Sequence, residues 1–184
     1  MTFKEKACLI DAKDMQRTIR RLAHEILEWN HGVDNLAIIG IQTRGVFLSQ
    51  RIAEVIGEIE ETTPAMGRLD ITFYRDDFRT RLRQPELKGT HVHFELEGLN
   101  VVLVDDVFYT GRTVRAALDA IMDIGRPENI RLAVLVDRGH RELPIRADFI
   151  GRNIPTAEGE EVQVQMRETD EKDAVYLLEM EGED

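Results

Sequence analysis

The chain has 184 residues, 42% of them hydrophobic and 32% charged, which suits one α/β domain with a substantial core rather than two ordinary domains. No apolar run approaches the roughly 20 residues of a membrane span, and the N-terminus lacks the basic-then-apolar order of a secretory signal. A single cysteine, Cys8, excludes a disulfide within the chain and makes a reducing, cytoplasmic setting the expectation. Beside Leu9 and Ile10, Cys8 is expected to be a small buried hydrophobe.

A net charge of −11 speaks against a nucleic-acid partner until its distribution is considered. Residues 156–184 hold 11 Asp/Glu against only Arg167 and Lys172, a net of −9, which leaves residues 1–155 at −2. A local basic face on the body is therefore open. No repeat, low-complexity tract or linker divides the chain, so residues 1–184 are read as a single domain with an acidic C-terminal segment from 156 onward.

In chain order, residues 14 to 29 read as an amphipathic helix. Ile19, Leu22, Ala23 and Ile26 form its inner stripe, Asp11 or Asp14 can cap it, and Asn30-His-Gly32 ends it. Arg17, Arg20, Arg21 and His24 repeat the same spacing on another face. Such a stripe is ordinarily a solvated helix face; it is also what an anionic partner would need. Leu36 to Ile41 is a short apolar strand, followed by Gln42-Thr-Arg-Gly45 and a helix through Phe47, Leu48, Ile52 and Val55. Glu58 to Pro64 reads as an exposed connection.

Gly67 to Tyr74 alternates like a strand, with Leu69, Ile71 and Phe73 on one side. Residues 75–85 are charged and aperiodic, either a surface loop or a mobile lid. Val92, Phe94 and Leu96 suggest a short returning strand, completing a hairpin arm. Val101 to Val104 then form the continuous apolar run of a strand covered on both faces in a parallel sheet. Asp105 and Asp106 follow at its carboxyl edge. Tyr109-Thr-Gly-Arg-Thr113 leads into a helical pattern of Val114, Ala117, Leu118, Ile121 and Met122.

Strand, polar turn and helix N-terminus make a cradle for an anion, because unbonded N–H groups and the helix dipole face it. The two carboxylates could reach a sugar's hydroxyls or hold Mg²⁺. Gly125-Arg-Pro127 stops this helix, and Ile130 to Val136 supplies another buried strand. Residues 137–155, rich in Arg, Gly and Pro, read as an ordered cap. Val162 to Met166 and Ala174 to Met180 read as two antiparallel strands near one edge. Strands alternating with helices predict an α/β fold with a parallel-centred twisted sheet flanked by helices.

Val101–Thr113 resembles the phosphoribosyl-pyrophosphate (PRPP) motif of type I phosphoribosyltransferases. Gly40-Ile-Gln-Thr-Arg-Gly45, Asp70-Ile-Thr-Phe-Tyr-Arg-Asp-Asp77 and Leu135–Thr156 narrow the likeness to the PyrR family. Its members regulate pyrimidine operons and carry uracil phosphoribosyltransferase activity. The resemblance implies a type I phosphoribosyltransferase fold with a hood at 137–155 and a flexible hairpin loop at 74–90. It implies the reaction of uracil and PRPP to UMP and diphosphate, with Mg²⁺ as cofactor.

The roles that the resemblance implies fall on named residues. Asp105 and Asp106 bind the ribose hydroxyls, directly or through Mg²⁺, and place negative charge near the cation developing at C1′. Val107, Tyr109, Thr110, Gly111, Arg112 and Thr113 form the 5′-phosphate turn. Thr43, Arg44 and Gly45 form the diphosphate turn, with Arg44 as the charged ligand, and Tyr74 and Arg75 contact the leaving group from the flexible loop. Uracil falls to groups around Val136, Asp137, Arg138 and Ile154. Purine-handling relatives often carry an acid in the middle of the PRPP loop; this chain has Tyr109 and apolar neighbours there.

The second implied activity is binding of pyrimidine-gene leader RNA, promoted by UMP or UTP, through Arg20, Arg21, His24, His140, Arg141, Arg146 and Arg152. A homodimer or higher homo-oligomer is implied as well. Two alternatives stay open: a regulator with only residual catalysis, and a purine-base phosphoribosyltransferase.

Overall fold

The computed structural model describes residues 3–71 and 90–180. Five parallel strands, β2 (Leu36–Ile41), β3 (Ala65–Leu69), β4 (Asn100–Phe108), β5 (Asn129–Asp137) and β6 (Phe149–Asn153), form the main sheet in the order β3-β2-β4-β5-β6. The apolar runs of β2 and β4 feed both faces of this sheet. Ile38, Val102 and Val104 join one core with α1 (Ala12–Asn30) and α2 (Arg44–Glu60). Ile39, Val101 and Leu103 point the other way and pack with Val114, Ala117 and Ile121 of α3 (Arg112–Ile124). Alternation of side chains along a strand makes one uninterrupted hydrophobic run serve two cores.

A second sheet of β1 (Phe3–Ile10), β7 (Glu160–Gln165) and β8 (Ala174–Met180) is antiparallel, in the order β1-β8-β7. Its inner residues Ile10, Val162, Val164 and Val175 share the core of α1 and α2.

The helix devices behave as their chemistry dictates. The Asp11 side chain caps α1 by accepting from the Asp14 N–H at 2.8 Å, so Asp11 is the cap and Asp14 lies in the first turn. His31 takes the left-handed conformation at the other end, and the Gly32 N–H reaches back to Leu27 O at 3.0 Å. The expected inner stripe of α1 is buried, while Arg17, Arg20, Arg21 and His24 are all exposed.

Several expectations are corrected. Cys8 is exposed rather than buried, because β1 is an edge strand that presents Cys8 outward between two register shifts. Helix α2 runs on to Glu60, so the exposed connection starts only at Glu61. Residues 91–96 form a single antiparallel bridge, His91 to Arg68, instead of a strand, with Leu96 turned into the core. Met122 is 64% exposed; the small residues Ala116 and Ala120 take the inner positions of α3. Part of the expected cap at 137–155 is β6, a strand of the main sheet. β7 and β8 belong to the separate small sheet, not to an edge of the main one. Residues 74–89, including Tyr74 and Arg75, lie outside the described residues.

Candidate active site

The chain runs from β2 outward to β3, then returns past β2 to β4 and continues to β5 and β6. The winding reverses between β2 and β4, and ligands of open α/β sheets sit beyond the carboxyl ends of the strands at that point. Gln42, Thr43, Asp70, Ile71, Asp105, Asp106, Val107 and Thr113 line a cavity of about 400 Å³ there. The turn after β2 and the turn after β4 thus share one crevice, though far apart in sequence.

Two glycines make the approach feasible. A Cβ on Gly45 would lie 2.5 Å from Val104 O and 3.2 Å from the Asp105 Cα, so α2 meets β4 only because that atom is missing. Gly111 has φ +94° and opens the turn into α3. The Thr110 hydroxyl accepts from the Arg112 N–H at 3.3 Å, and Thr110 O receives the N–H groups of Glu142 and Leu143 at 3.0 and 3.2 Å. The turn is therefore braced from the segment after β5. Beyond the Arg112 N–H, the first N–H groups of α3 have no carbonyl within the helix to bond, and an anion is favoured at such an end. The Gln42–Thr43 peptide bond is cis.

Asp105 is only 7% exposed and its Oδ1 accepts from the Asp106 N–H at 3.0 Å. Burial, and then the adjoining Asp106 charge, push the Asp105 carboxyl well above the usual carboxylate range. A folded-state pKa raised above the unfolded one stabilises the fold below the unfolded value. That stability is lost as pH rises through the folded value. Asp105→Asn keeps the Oδ1 acceptor and removes the buried charge, so its melting temperature should rise above that of the wild type at alkaline pH. The gain should shrink toward pH ~4, where the wild-type carboxyl holds its proton. Thermal unfolding at the two pH values checks this; equal gains at both would contradict it.

The remaining candidates divide by location. Arg44 heads α2 and its Nε and Nη2 bond both oxygens of Asp170 at 3.2 and 3.0 Å. Asp170 keeps this guanidinium firmly charged, with Asp106 adding a weaker pull. At the end of β5, the Arg138 guanidinium lies over the Tyr109 ring at 4.1 Å and donates to Thr156 Oγ1 and Glu160 O. The N–H groups of Arg138 and Ile154 already bond Phe108 O and Asp137 O, at 3.0 and 2.8 Å, and Val136 is fully buried. Arg141 bonds Asp137, Tyr109 O and Gly139 O and stacks on Phe108, so its guanidinium is turned inward.

Arg21 bonds Ile150 O and Gly151 O of β6, which brings the α1 stripe beside the strand that carries exposed Arg152. His24 and Arg146 are exposed, Arg20 reaches Glu58, and His140 contacts Thr156 O at 2.7 Å. Gln42, Asp70 and Ile71 also line the cavity; all three stand inside the Gly40–Gly45 and Asp70–Asp77 motifs, but nothing in their residue types marks them as lining. Asp170 was missed because it is one acid among many in the C-terminal segment.

Among the described residues no three His, Cys, Asp or Glu side chains gather to enclose a metal. A pair of hard carboxylates in an open crevice suits an ion that keeps water and substrate oxygens as its other ligands, the habit of Mg²⁺.

Comparison with known proteins decides the family. The phosphoribosyl transferase domain model matches residues 9–169. The bifunctional PyrR proteins of Bacillus mycoides and Bacillus cereus are each 52% identical over 177 residues, covering 95% of this chain and 98% of theirs. The chain belongs to the phosphoribosyl transferase family, in its PyrR branch. The fold is shared more widely. A Trypanosoma cruzi hypoxanthine phosphoribosyltransferase in a ternary substrates complex matches with a TM-score of 0.74 at 19% identity, over 94% of this chain and 95% of that one. A Staphylococcus aureus hypoxanthine phosphoribosyltransferase matches at 0.69 and 16%, over 94% and 92%. Family membership thus agrees with the α/β class and the strand order. No helix among the described residues is long and apolar enough to cross a membrane.

Proposed function

We propose that this phosphoribosyltransferase joins uracil to PRPP, releasing diphosphate and forming UMP, and that it also binds leader RNA of pyrimidine genes when a uridine nucleotide is present. The observation that carries the catalytic reading is the crevice in which Asp105, Asp106 and Thr113 face Thr43 across the switch point. As diphosphate departs, positive charge grows on C1′ of the ribose. Groups that bind this state better than the ground state raise the rate.

In this reading Asp106 and Asp105 hold the 2′- and 3′-hydroxyls and present negative charge to the cation. The first N–H groups of α3, with Thr110 and Thr113, anchor the 5′-phosphate. The Thr43-Arg44-Gly45 turn receives the diphosphate, where a guanidinium can bond two oxygens at once. Mg²⁺ would be held by Asp105 and Asp106 largely through substrate and water, and would offset charge on the leaving group. Tyr109, rather than an acid, follows β4 at the middle of the loop, which favours a base whose N1 proton is already fairly acidic. Recognition of uracil falls to the end of β5 and the rim around Tyr109, since the Arg138 and Ile154 N–H groups are engaged elsewhere. A panel of bases offered with PRPP tests the choice: uracil consumed and hypoxanthine or guanine left untouched is expected, and the reverse would favour a purine transferase.

For RNA, the supporting observation is the exposed α1 stripe lying beside β6. Lys/Arg contacts to phosphate make such binding salt-dependent. UMP should tighten binding of a pyrimidine-operon leader RNA, and affinity should fall at least ~100-fold between about 50 and 200 mM salt. His24→Ala should weaken binding while leaving UMP formation unchanged. Binding indifferent to UMP and to that substitution would leave the enzyme without this second role.

A further inference from the structure

The turn between β7 and β8 contains a feature that the catalytic reading does not use. Met166 O accepts the N–H groups of Thr169 and Asp170 at 2.9 and 2.6 Å. Asp170 Oδ2 accepts the Met166 N–H at 2.8 Å and the Thr169 hydroxyl at 3.0 Å. The carboxylate is thus fixed by its own turn before it meets any cation.

The turn is also bolted to α2. Arg51 donates to both oxygens of Glu168 at 2.8 and 2.6 Å and to Asp173 at 2.7 Å. Asp173 in turn accepts the Arg167 N–H at 2.9 Å. Burial works against the Arg51 charge, but Glu168 and Asp173 outweigh it and hold the guanidinium protonated. Arg44 and Arg51 are seven residues apart, two helical turns, and so lie on one face of α2. The 166–173 turn grips that face at both points.

A guanidinium has two edges that can each take an oxyanion: the Nε–Nη2 side and the Nη1–Nη2 end. Asp170 occupies the side edge of Arg44. The end edge is not used by this pair, and Arg44 remains about one-third exposed, its side chain at 34%. An arginine held this way has lost most of its rotamer freedom before an anion arrives, so less is lost on binding.

We propose that Asp170 is a positioning residue for the diphosphate turn, holding Arg44 by its Nε edge so that the other edge meets the leaving diphosphate. The proposal rests on the reading that Arg44 receives that group. Asp170 touches neither substrate nor reacting atoms; it acts through Arg44. Its negative charge opposes a nearby anion, while its rigid bidentate grip favours one, and the proposal is that the grip prevails.

The test is steady-state kinetics with diphosphate as product inhibitor, on full-length Asp170→Asn, Arg44→Lys, Arg44→Ala and the Asp170→Asn/Arg44→Ala double variant. Asparagine keeps an oxygen for the Met166 N–H, so the turn itself is spared. In Asp170→Asn, the KM for PRPP and the diphosphate inhibition constant should rise about tenfold, with kcat at saturation within about threefold. Arg44→Lys, which keeps the charge without the fork, should show the same split. In the Arg44→Ala background, Asp170→Asn should add less than about twofold.

Asp170→Asn kinetics like wild type, beside a clear rise in Arg44→Ala, would overturn the positioning role and leave the Arg44 reading intact. Tighter diphosphate inhibition in Asp170→Asn would show competition instead of positioning, and Arg44→Lys kinetics like wild type would show that charge alone suffices; either overturns it. Unchanged diphosphate inhibition in Arg44→Ala would remove both the reading and the inference.

Discussion

Asp106→Asn should lower turnover by roughly 100- to 1,000-fold, the size of effect seen when one preorganised electrostatic group is removed from a transition state. Asparagine preserves the shape of the side chain and its place in the crevice. It removes the negative charge facing the cation at C1′ and weakens the grip on the ribose hydroxyls. Asp106 is only partly buried, so its folding cost is small and the melting temperature should move by no more than about 2 °C. Steady-state rates and thermal unfolding on one preparation separate these effects. A normal rate would remove Asp106 from the mechanism; a lost rate with a collapsed melting temperature would make it structural. The contrast with Asp105→Asn, expected to be more stable than wild type, follows from depth and from the adjoining charge, because Asp105 is the buried carboxylate and lies against Asp106.

Gly45→Ala is expected to be the second severe change. In a helix alanine is favoured over glycine by up to about 1 kcal/mol, and less in the first turn. Here the added Cβ would stand 2.5 Å from a backbone oxygen of β4, so strand or helix must shift. Overpacking of this kind costs about 1–3 kcal/mol, and the clash outweighs the propensity gain. Val104 O and the Asp105 Cα are the atoms met, so the shift would separate the diphosphate turn from the carboxylates. PRPP affinity should fall at least ~10-fold, together with a loss of several degrees in melting temperature. Isothermal titration with PRPP and Mg²⁺ checks it, and unchanged affinity would mean that the spacing of the two turns is not critical.

The strands that build the crevice were legible because burial on both faces demands uninterrupted apolar residues, as in Leu36–Ile41 and Val101–Val104. Edge strands impose no such demand. Phe3–Ile10 carries Lys4, Glu5 and Lys6, exposes four residues in a row from Phe3, and is interrupted by two register shifts. Phe149–Asn153 contains Gly151 and Arg152 and buries only Phe149, so its composition resembles a loop. On α3, alanines pack inward without announcing it, while Met122 fits a hydrophobic pattern yet faces out.

The site divides along similar lines. Asp105, Asp106 and the Tyr109–Thr113 turn were readable because strand, acids, glycine turn and helix are contiguous. Thr43 and Arg44 gained meaning from their place after a parallel strand. The Asp170 contact joins positions 126 apart and leaves no local trace. The inward use of the Arg138 and Arg141 guanidiniums was likewise invisible, because an arginine's partners depend on where strands end and not on its neighbours in sequence.

The most direct test of the account is the initial rate of UMP formation by the folded, full-length protein with uracil, PRPP and Mg²⁺. Steady UMP release stoichiometric with diphosphate is expected, abolished by chelation of the metal and nearly lost in Asp106→Asn. No UMP from protein that unfolds cooperatively and binds PRPP would contradict it.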